Sequence, residues 1–166
     1  MSEFRTASSE EIARIVDVYL RIEWPLSVES VDKVVEALGW TRIADSKRIN
    51  VVSDFRVSHP NTTFLSEDGV VKLIECWACD VDTGEDSQPL KDTYRSVRAT
   101  VSSVLGKPGG GRGRDSWWDL PSGGRIHVTG RKIVVVLQLL SKEYADIERG
   151  EARHRISPDR VLGQDE

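Results

Sequence analysis

The chain has 166 residues, of which 39% are hydrophobic and 30% charged, with a formal net charge of −4 and a pI near 5.5. This length fits one ordinary domain, which buries enough surface to need neither a disulfide nor a structural metal. The acidic balance excludes a general binder of nucleic acid or of anionic membranes, because such proteins are normally basic.

Two helices are predicted at the start of the chain. The segment Ser8-Ser9-Glu10-Glu11 is a capping-box pattern, and apolar residues follow it at helical spacing until Trp24-Pro25 ends the helix. Ser27 is the predicted N-cap of a second helix, which stops at Gly39.

Strands and two further helices are predicted after Gly39. The first four strands lie at 41–44, 48–55, 61–66 and 70–79, and Asp68-Gly69 predicts a hairpin between the last two. A third helix begins near Pro89 and ends at Gly106, strands follow at 116–120, 125–129 and 132–140, and a charged helix covers 142–153. The strand at 132–140 is apolar on both faces, which is typical of a covered central strand.

The order of these elements predicts the fold class. We expect a single α+β domain over residues 1–156, with the order αα-ββββ-α-βββ-α and helices packed on an antiparallel sheet. Residues 157–166 are predicted to form a flexible tail.

Both cysteines lie in one C-x-x-C segment, Cys76 to Cys79. In a strand these two positions face opposite sides of the sheet, so the side chains could neither form a disulfide nor share a metal. The acidic segment that follows would also raise a thiolate pKa, whereas a redox pair needs it lowered. We therefore interpret both cysteines as packing residues and predict no metal site and no cofactor.

Two surface segments are candidates for contact with a partner. The acidic segment 80–86 does not fit a calcium loop, because the sixth and twelfth positions from its start are Glu85 and Lys91. It is interpreted as a solvated linker or as an acidic contact to a basic partner. The glycine-rich segment 106–114 follows a helix and precedes a strand, which excludes a P-loop, and is interpreted as a flexible connection or as an arginine-bearing tip.

Trp117-Trp118 combines one predicted core residue with one candidate contact residue. Adjacent strand residues face opposite ways, and Trp118 shares its face with Leu120, so Trp118 is the predicted core residue. Trp117 is either exposed, where tryptophan beside arginine is typical of a binding hot spot, or covered by a helix. The predicted partner-binding residues are Lys107, Arg112, Arg114, Trp117, Asp80, Asp82, Glu85 and Asp86.

No catalytic motif is present in the sequence. There is no nucleophile elbow, no metalloprotease motif and no dinucleotide fingerprint, and His59 and His127 are interpreted as surface histidines. Neither a secretory signal nor a membrane-spanning run is recognised, so we expect a cytoplasmic protein. Two carboxylates that meet in a cleft would leave an enzyme as a third alternative.

Three segments carry a family resemblance: IARIVDVYLRIEWPLSVESVDKVVEALGW, SVLGKP and IVVVLQLLSKEYADIERGEAR. They resemble a family of small actinobacterial α+β proteins, which are thought to include immunity proteins that neutralise secreted polymorphic toxins. The element order is also similar to that of type III secretion chaperones. No site residues come with either resemblance.

The resemblance implies a non-enzymatic inhibitor, an immunity protein or antitoxin that covers the active cleft of a toxin domain such as an NAD-glycohydrolase or a nuclease. An acidic protein suits this role, because electrostatic complementarity accelerates association with a basic cleft. A monomer is favoured. The alternative is a secretion or assembly chaperone, which would be a dimer with an exposed apolar patch.

Overall fold

The computed structural model of the chain describes residues 3–43 and 49–153. The predicted turn at 45–47, the ends of the first two predicted strands at 44 and 48, His154 and the predicted tail lie outside these residues.

The described part forms one α+β domain with an antiparallel sheet, as predicted, and this sheet has eight strands where the sequence predicts seven. The helices are α1 (Ser9–Leu20), α2 (Val31–Leu38), α3 (Gln88–Leu105) and α4 (Lys142–Arg153), and a 3₁₀ turn (Val28–Ser30) precedes α2. The strands are β1 (Thr41–Arg42), β2 (Ile49–Val52), β3 (Asn61–Glu67), β4 (Val70–Trp77), β5 (Gly110–Arg112), β6 (Asp115–Asp119), β7 (Arg125–Gly130) and β8 (Val135–Leu140). Their order across the sheet is β1-β2-β3-β4-β8-β7-β6-β5.

Local signals in the sequence account for several element ends. Ser8 and Glu11 form the predicted capping box of α1, and Gly39 ends α2 in the left-handed conformation with φ 72°. Asp68 and Gly69 both have positive φ, which is the geometry of a two-residue hairpin turn between β3 and β4. Ser27 differs from its prediction, because it precedes the 3₁₀ turn and its side chain makes no capping bond to the backbone.

The two faces of the sheet have different chemistry. Along β6 and β7, Ser116, Trp118 and Val128 point to the face covered by α3, where the Tyr94 hydroxyl and the Ser116 hydroxyl are 2.7 Å apart. The alternate residues of the same strands are mostly polar and point to the opposite face, which α4 partly covers. Strand β8 lies in the middle of the sheet between β4 and β7, as its apolar sequence predicts.

The second half of the sheet contains a strand that the sequence does not predict. Residues Gly110–Arg112 lie within the glycine-rich segment but pair with Asp115–Trp117, so they form the outer strand of a hairpin at one edge of the sheet. The middle of the segment is therefore part of the sheet, while residues 106–109 connect α3 to β5 and residues 113–114 form the turn of the hairpin.

Candidate functional site

The polar face of β6 and β7, together with α4, encloses a cleft of about 610 Å³. Its floor is formed by alternate residues of the two strands, and its wall by the second half of α4. It is lined by Gly111, Arg112, Asp115, Trp117, Asp119, Arg125, His127, Glu148, Arg149, Glu151, Ala152 and Arg153. Residues that are up to about forty positions apart in the sequence meet here because β6 and β7 are neighbours and α4 crosses them.

His127 is the centre of the cleft floor. Its Nδ1 lies 2.9 Å from Asp115 Oδ1 and its Nε2 lies 2.8 Å from Glu148 Oε1, so both ring nitrogens face carboxylate oxygens. Burial disfavours the charged imidazolium, but the hydrogen bonds and charges of the two carboxylates outweigh burial and raise the pKa of His127 to about 9. The ring is thus a cation at neutral pH, and neither nitrogen is available as a general base.

Arg125 and Trp117 form a stacked pair beside His127. The Arg125 guanidinium carbon lies 3.8 Å from the centre of the Trp117 indole ring. The Arg125 side chain is only 5% exposed. A Cβ at Gly109 or Gly110 would come within 3.0 Å of the indole. The ring can therefore pack against the edge strand only because both of these residues are glycines. Trp117 is consequently half-buried and lines the cleft, while Trp118 is 2% exposed and belongs to the core, as predicted.

Helix α4 is attached to the sheet mainly by charged side chains. Arg125 donates to Asp119 and to Glu148, and Arg149 donates to Asp119 over 2.8 Å and to the Gly123 carbonyl over 2.8 Å. Of the residues in α4, only Ala145 is buried. The helix therefore depends on ion pairs and hydrogen bonds rather than on a broad apolar face.

The structure exposes the three predicted contact cations of the glycine-rich segment. Lys107 precedes the β5–β6 hairpin, Arg112 ends β5, and Arg114 lies at the turn of the hairpin, where its carbonyl accepts a 2.6 Å hydrogen bond from the Gly130 amide. Arg112 also lines the cleft. The hairpin thus combines an exposed cationic edge with one wall of the cleft.

The acidic segment 80–86 is less open than the sequence suggests. Asp80 is 8% exposed and accepts hydrogen bonds from Arg5 and from the amide and hydroxyl of Ser58, so this carboxylate joins three segments of the chain. Asp82 accepts from the Gly84 amide and the Ser87 hydroxyl, which in turn caps α3. These two acids therefore have internal roles.

Glu85 and Asp86 are the exposed acids of the same segment. Asp86 forms an ion pair with Lys91, and the pKa of its carboxyl is lowered chiefly by Lys91 and to a smaller extent by Arg114. The contribution of Arg114 means that Asp86 and Arg114 lie within electrostatic range of each other. Of the eight predicted contact residues, the three cations, Glu85 and Asp86 are exposed, Trp117 and Asp82 are half-buried, and Asp80 is buried.

Cys76 and Cys79 are free thiols buried in the core, which agrees with their interpretation as packing residues. Burial raises the pKa of Cys76 to about 12 and that of Cys79 to about 11. Across the described residues, no group of three or more His, Cys, Asp or Glu side chains is placed to hold a metal ion.

The interpretation of His127 as a surface histidine is wrong. Its position on the polar face of β7 is as expected, but α4 and the neighbouring carboxylates reduce its exposure to 8%. The alternation Asp115-Trp117-Asp119 facing Arg125-His127-Thr129 is the signal in the sequence that could have revealed the cleft. This signal becomes visible only when β6 is paired with β7, because the pairing places Asp119 directly opposite Arg125.

A second cavity lies at the other end of α4. It has a volume of about 540 Å³ and is mostly apolar, with Trp24, Pro25, Val70, Val71 and Ile147 among its lining residues. The charged side chains of Lys142, Glu143 and Asp146 form part of its rim. Helix α4 therefore separates a polar cleft from an apolar one.

The chain belongs to a family of unknown function, DUF6301, whose model matches residues 10–141. The match runs from α1 to the residue after β8 and ends where α4 begins. No curated protein and no solved structure matches the chain. Among the helices of the described residues, none has both the length and the apolar character required to cross a bilayer.

Proposed function

We propose that this chain is a non-enzymatic, protein-binding inhibitor of the immunity type, which neutralises a toxin domain by covering its active cleft. The observation that carries the proposal is the exposed cationic hairpin β5–β6, set beside a half-buried tryptophan in a protein of net negative charge. Arginine and tryptophan are the residues most enriched among binding hot spots.

The exposed charges give this end of the domain both signs. Lys107, Arg112 and Arg114 supply the cations, and Glu85 and Asp86 on the neighbouring segment supply the anions. A surface of mixed sign fixes the orientation of a partner, because every rotated arrangement brings like charges together. Because the hairpin is cationic, it would meet an acidic patch of the toxin domain, while the net negative charge of the whole chain would steer the approach to a basic domain.

The principal ionisable groups of the cleft argue for binding rather than acid–base chemistry. His127 uses both nitrogens on Asp115 and Glu148, and Arg125 holds Asp119 and Glu148. Proton transfer needs a group that can gain or lose a proton near neutral pH while it faces the substrate. These five residues instead stabilise one another as a fixed network.

Affinity capture with the tagged chain from its native lysate, followed by mass spectrometry, tests the proposal. We expect one stoichiometric partner with a toxin-like C-terminal domain, and we expect the double reversal Arg112→Glu and Arg114→Glu to weaken its capture about tenfold or more. The control is Arg95→Glu on α3, which reverses one exposed arginine, half the charge change of the double variant, on the other side of the sheet. Recovery of the chain alone, or of a spread of unrelated proteins, would contradict the proposal.

A secretion or assembly chaperone is the second candidate, favoured by the apolar cavity of about 540 Å³ beside Trp24 and Ile147. A chaperone would hold an apolar segment of its client there, and it would be an obligate dimer. Size-exclusion chromatography with light scattering distinguishes the two candidate functions. The inhibitor function predicts a monomer that forms a complex with one folded toxin domain, whereas the chaperone function predicts a dimer.

A further inference from the structure

The buried guanidinium of Arg125 has donors that the protein does not use. An arginine carries five N–H groups. Three of them donate to Asp119 Oδ1 at 2.9 Å, to Asp119 Oδ2 at 3.4 Å and to Glu148 Oε1 at 3.1 Å. The other two have no acceptor among the described residues, although the side chain is 95% buried and lines the cleft. Buried donors of a charged group gain the most from an added acceptor.

The charge balance of the cleft points to an acceptor that carries negative charge. Three carboxylates of the cleft already form ion pairs with its cations: Asp115, Asp119 and Glu148. Arg153, at the end of α4, lines the same cleft and makes no ion pair or hydrogen bond within the described part of the chain. With His127 protonated on both nitrogens, cations outnumber carboxylates among the lining residues.

The shape of the site suits a small group with two or more oxygens. The planar guanidinium of Arg125 is held against Trp117, and its fork geometry matches the paired oxygens of a carboxylate or a phosphate. The cleft volume of about 610 Å³ lies within the range of small-molecule sites. Arg153, on the α4 wall of the cleft, is a second arginine that lines the same space.

We propose that this cleft is an oxyanion-binding site, in which Arg125 and Arg153 hold a carboxylate or phosphate group beside Trp117. The site does not depend on the proposed inhibitor function, because a free small anion would satisfy the same donors. If the inhibitor function also holds, an acidic side chain of the partner is a second source of the same chemistry.

Titration of the purified chain at constant ionic strength tests this site, with calorimetry as the first readout. The probes are inorganic phosphate, pyrophosphate and a tri-glutamate peptide, and a tri-lysine peptide is the control of opposite charge. The second readout is the indole N–H resonance of Trp117, assigned by its loss in Trp117→Phe. We expect at least one anionic probe to bind with a Kd of about 1 mM or tighter and to shift this resonance.

Two variants locate the binding. Arg153→Ala, on the exposed last turn of α4, should weaken binding about tenfold, because it removes a charge-assisted hydrogen bond without disturbing the core. Arg125→Lys keeps the charge but removes the fork, and it should weaken binding by a similar factor. Arg95→Ala on α3 is the matched control and should bind as the wild type does.

Each outcome decides the proposal. Binding of phosphate or pyrophosphate alone assigns the site to a free phosphate, and binding of tri-glutamate alone assigns it to an acidic peptide side chain. The proposal is overturned if none of the three anions binds. It is also overturned if tri-lysine binds as tightly as the anions, or if Arg153→Ala binds the anions as tightly as the wild type does. Because no toxin partner enters the titration, its failure leaves the inhibitor function to be judged by the capture experiment.

Discussion

Substitution of His127 by glutamine removes the charge at the centre of the cleft. His127 is 8% exposed, and its two nitrogens lie 2.9 Å and 2.8 Å from carboxylate oxygens of Asp115 and Glu148. Glutamine can keep one of these hydrogen bonds but carries no positive charge. We expect His127→Gln to fold with the same topology and to lose stability by an amount that depends on pH.

The magnitude follows from the pKa of His127 in the two states. Burial lowers this pKa, but the two carboxylates raise it by more, so that it is about 9 in the folded chain, against 6.5 for an ordinary histidine. At about 1.36 kcal/mol per pH unit, the difference corresponds to about 3 kcal/mol of stability. Because the folded pKa is the higher one, this contribution is fully present below pH 6.5 and is lost as the pH rises through 9.

Urea denaturation of the wild type and of His127→Gln across this range measures the effect. The free energy of unfolding should differ by about 3 kcal/mol near pH 6, and the two curves should converge near pH 10. His59→Gln is the matched control, because His59 is an exposed histidine in a loop. Its stability should follow the wild-type pH dependence.

Two results would refute the reasoning. The first is a difference between wild type and His127→Gln that stays constant from about pH 6 to about pH 10, because then the imidazolium contributes nothing that titrates. The second is a variant more stable than the wild type near pH 6. In that case the desolvation of the charged ring outweighs its ion pairs, as happens for some buried salt bridges.

Three further predictions concern packing. Gly110→Ala should lower the free energy of unfolding by about 1–3 kcal/mol, because the new methyl group overlaps the indole of Trp117. Gly150→Ala, in the interior of α4, should raise it by up to about 1 kcal/mol, since the nearest side-chain atom is 3.9 Å away and alanine favours a helix. Cys76 and Cys79, whose thiols have pKa values of about 12 and about 11, should react with a thiol reagent only after unfolding.

Thermal unfolding by circular dichroism checks the two glycine variants, and a colorimetric thiol assay with and without urea checks the cysteines. An unchanged melting temperature for Gly110→Ala would show that the indole does not lie over the edge strand. A destabilised Gly150→Ala would mean that α4 is not helical at this position. Fast thiol reaction in the native chain would contradict the burial of the cysteines.

Local signals in the sequence predicted most of the fold. The capping box at Ser8, the stop at Gly39 and the hairpin at Asp68-Gly69 each depend on residues close in sequence, and each was found where expected. Trp118 was identified as core because it shares its strand face with Leu120. The apolar sequence at the end of the chain likewise identified β8 as a central strand.

Strand β5 and the cleft were not predicted, because both depend on contacts between residues distant in the sequence. Strand β5 consists of two glycines and an arginine, which have little strand propensity, and it is ordered by pairing with β6 and by the indole that lies over Gly109 and Gly110. Helix α4 lies at the predicted residues, but its charged sequence does not indicate which part of the sheet it covers. Only the pairing of Glu148 and Arg149 with strand residues shows why it covers His127 and forms the cleft.

The most direct test of the proposed function is neutralisation of the captured partner. The partner's C-terminal domain is expressed in a sensitive host alone, with this chain, and with the Arg112→Glu and Arg114→Glu variant, and growth is measured. The proposal predicts that growth stops with the domain alone, recovers with the wild-type chain and does not recover with the variant. Growth arrest that persists beside an equimolar, folded wild-type chain would contradict an inhibitor.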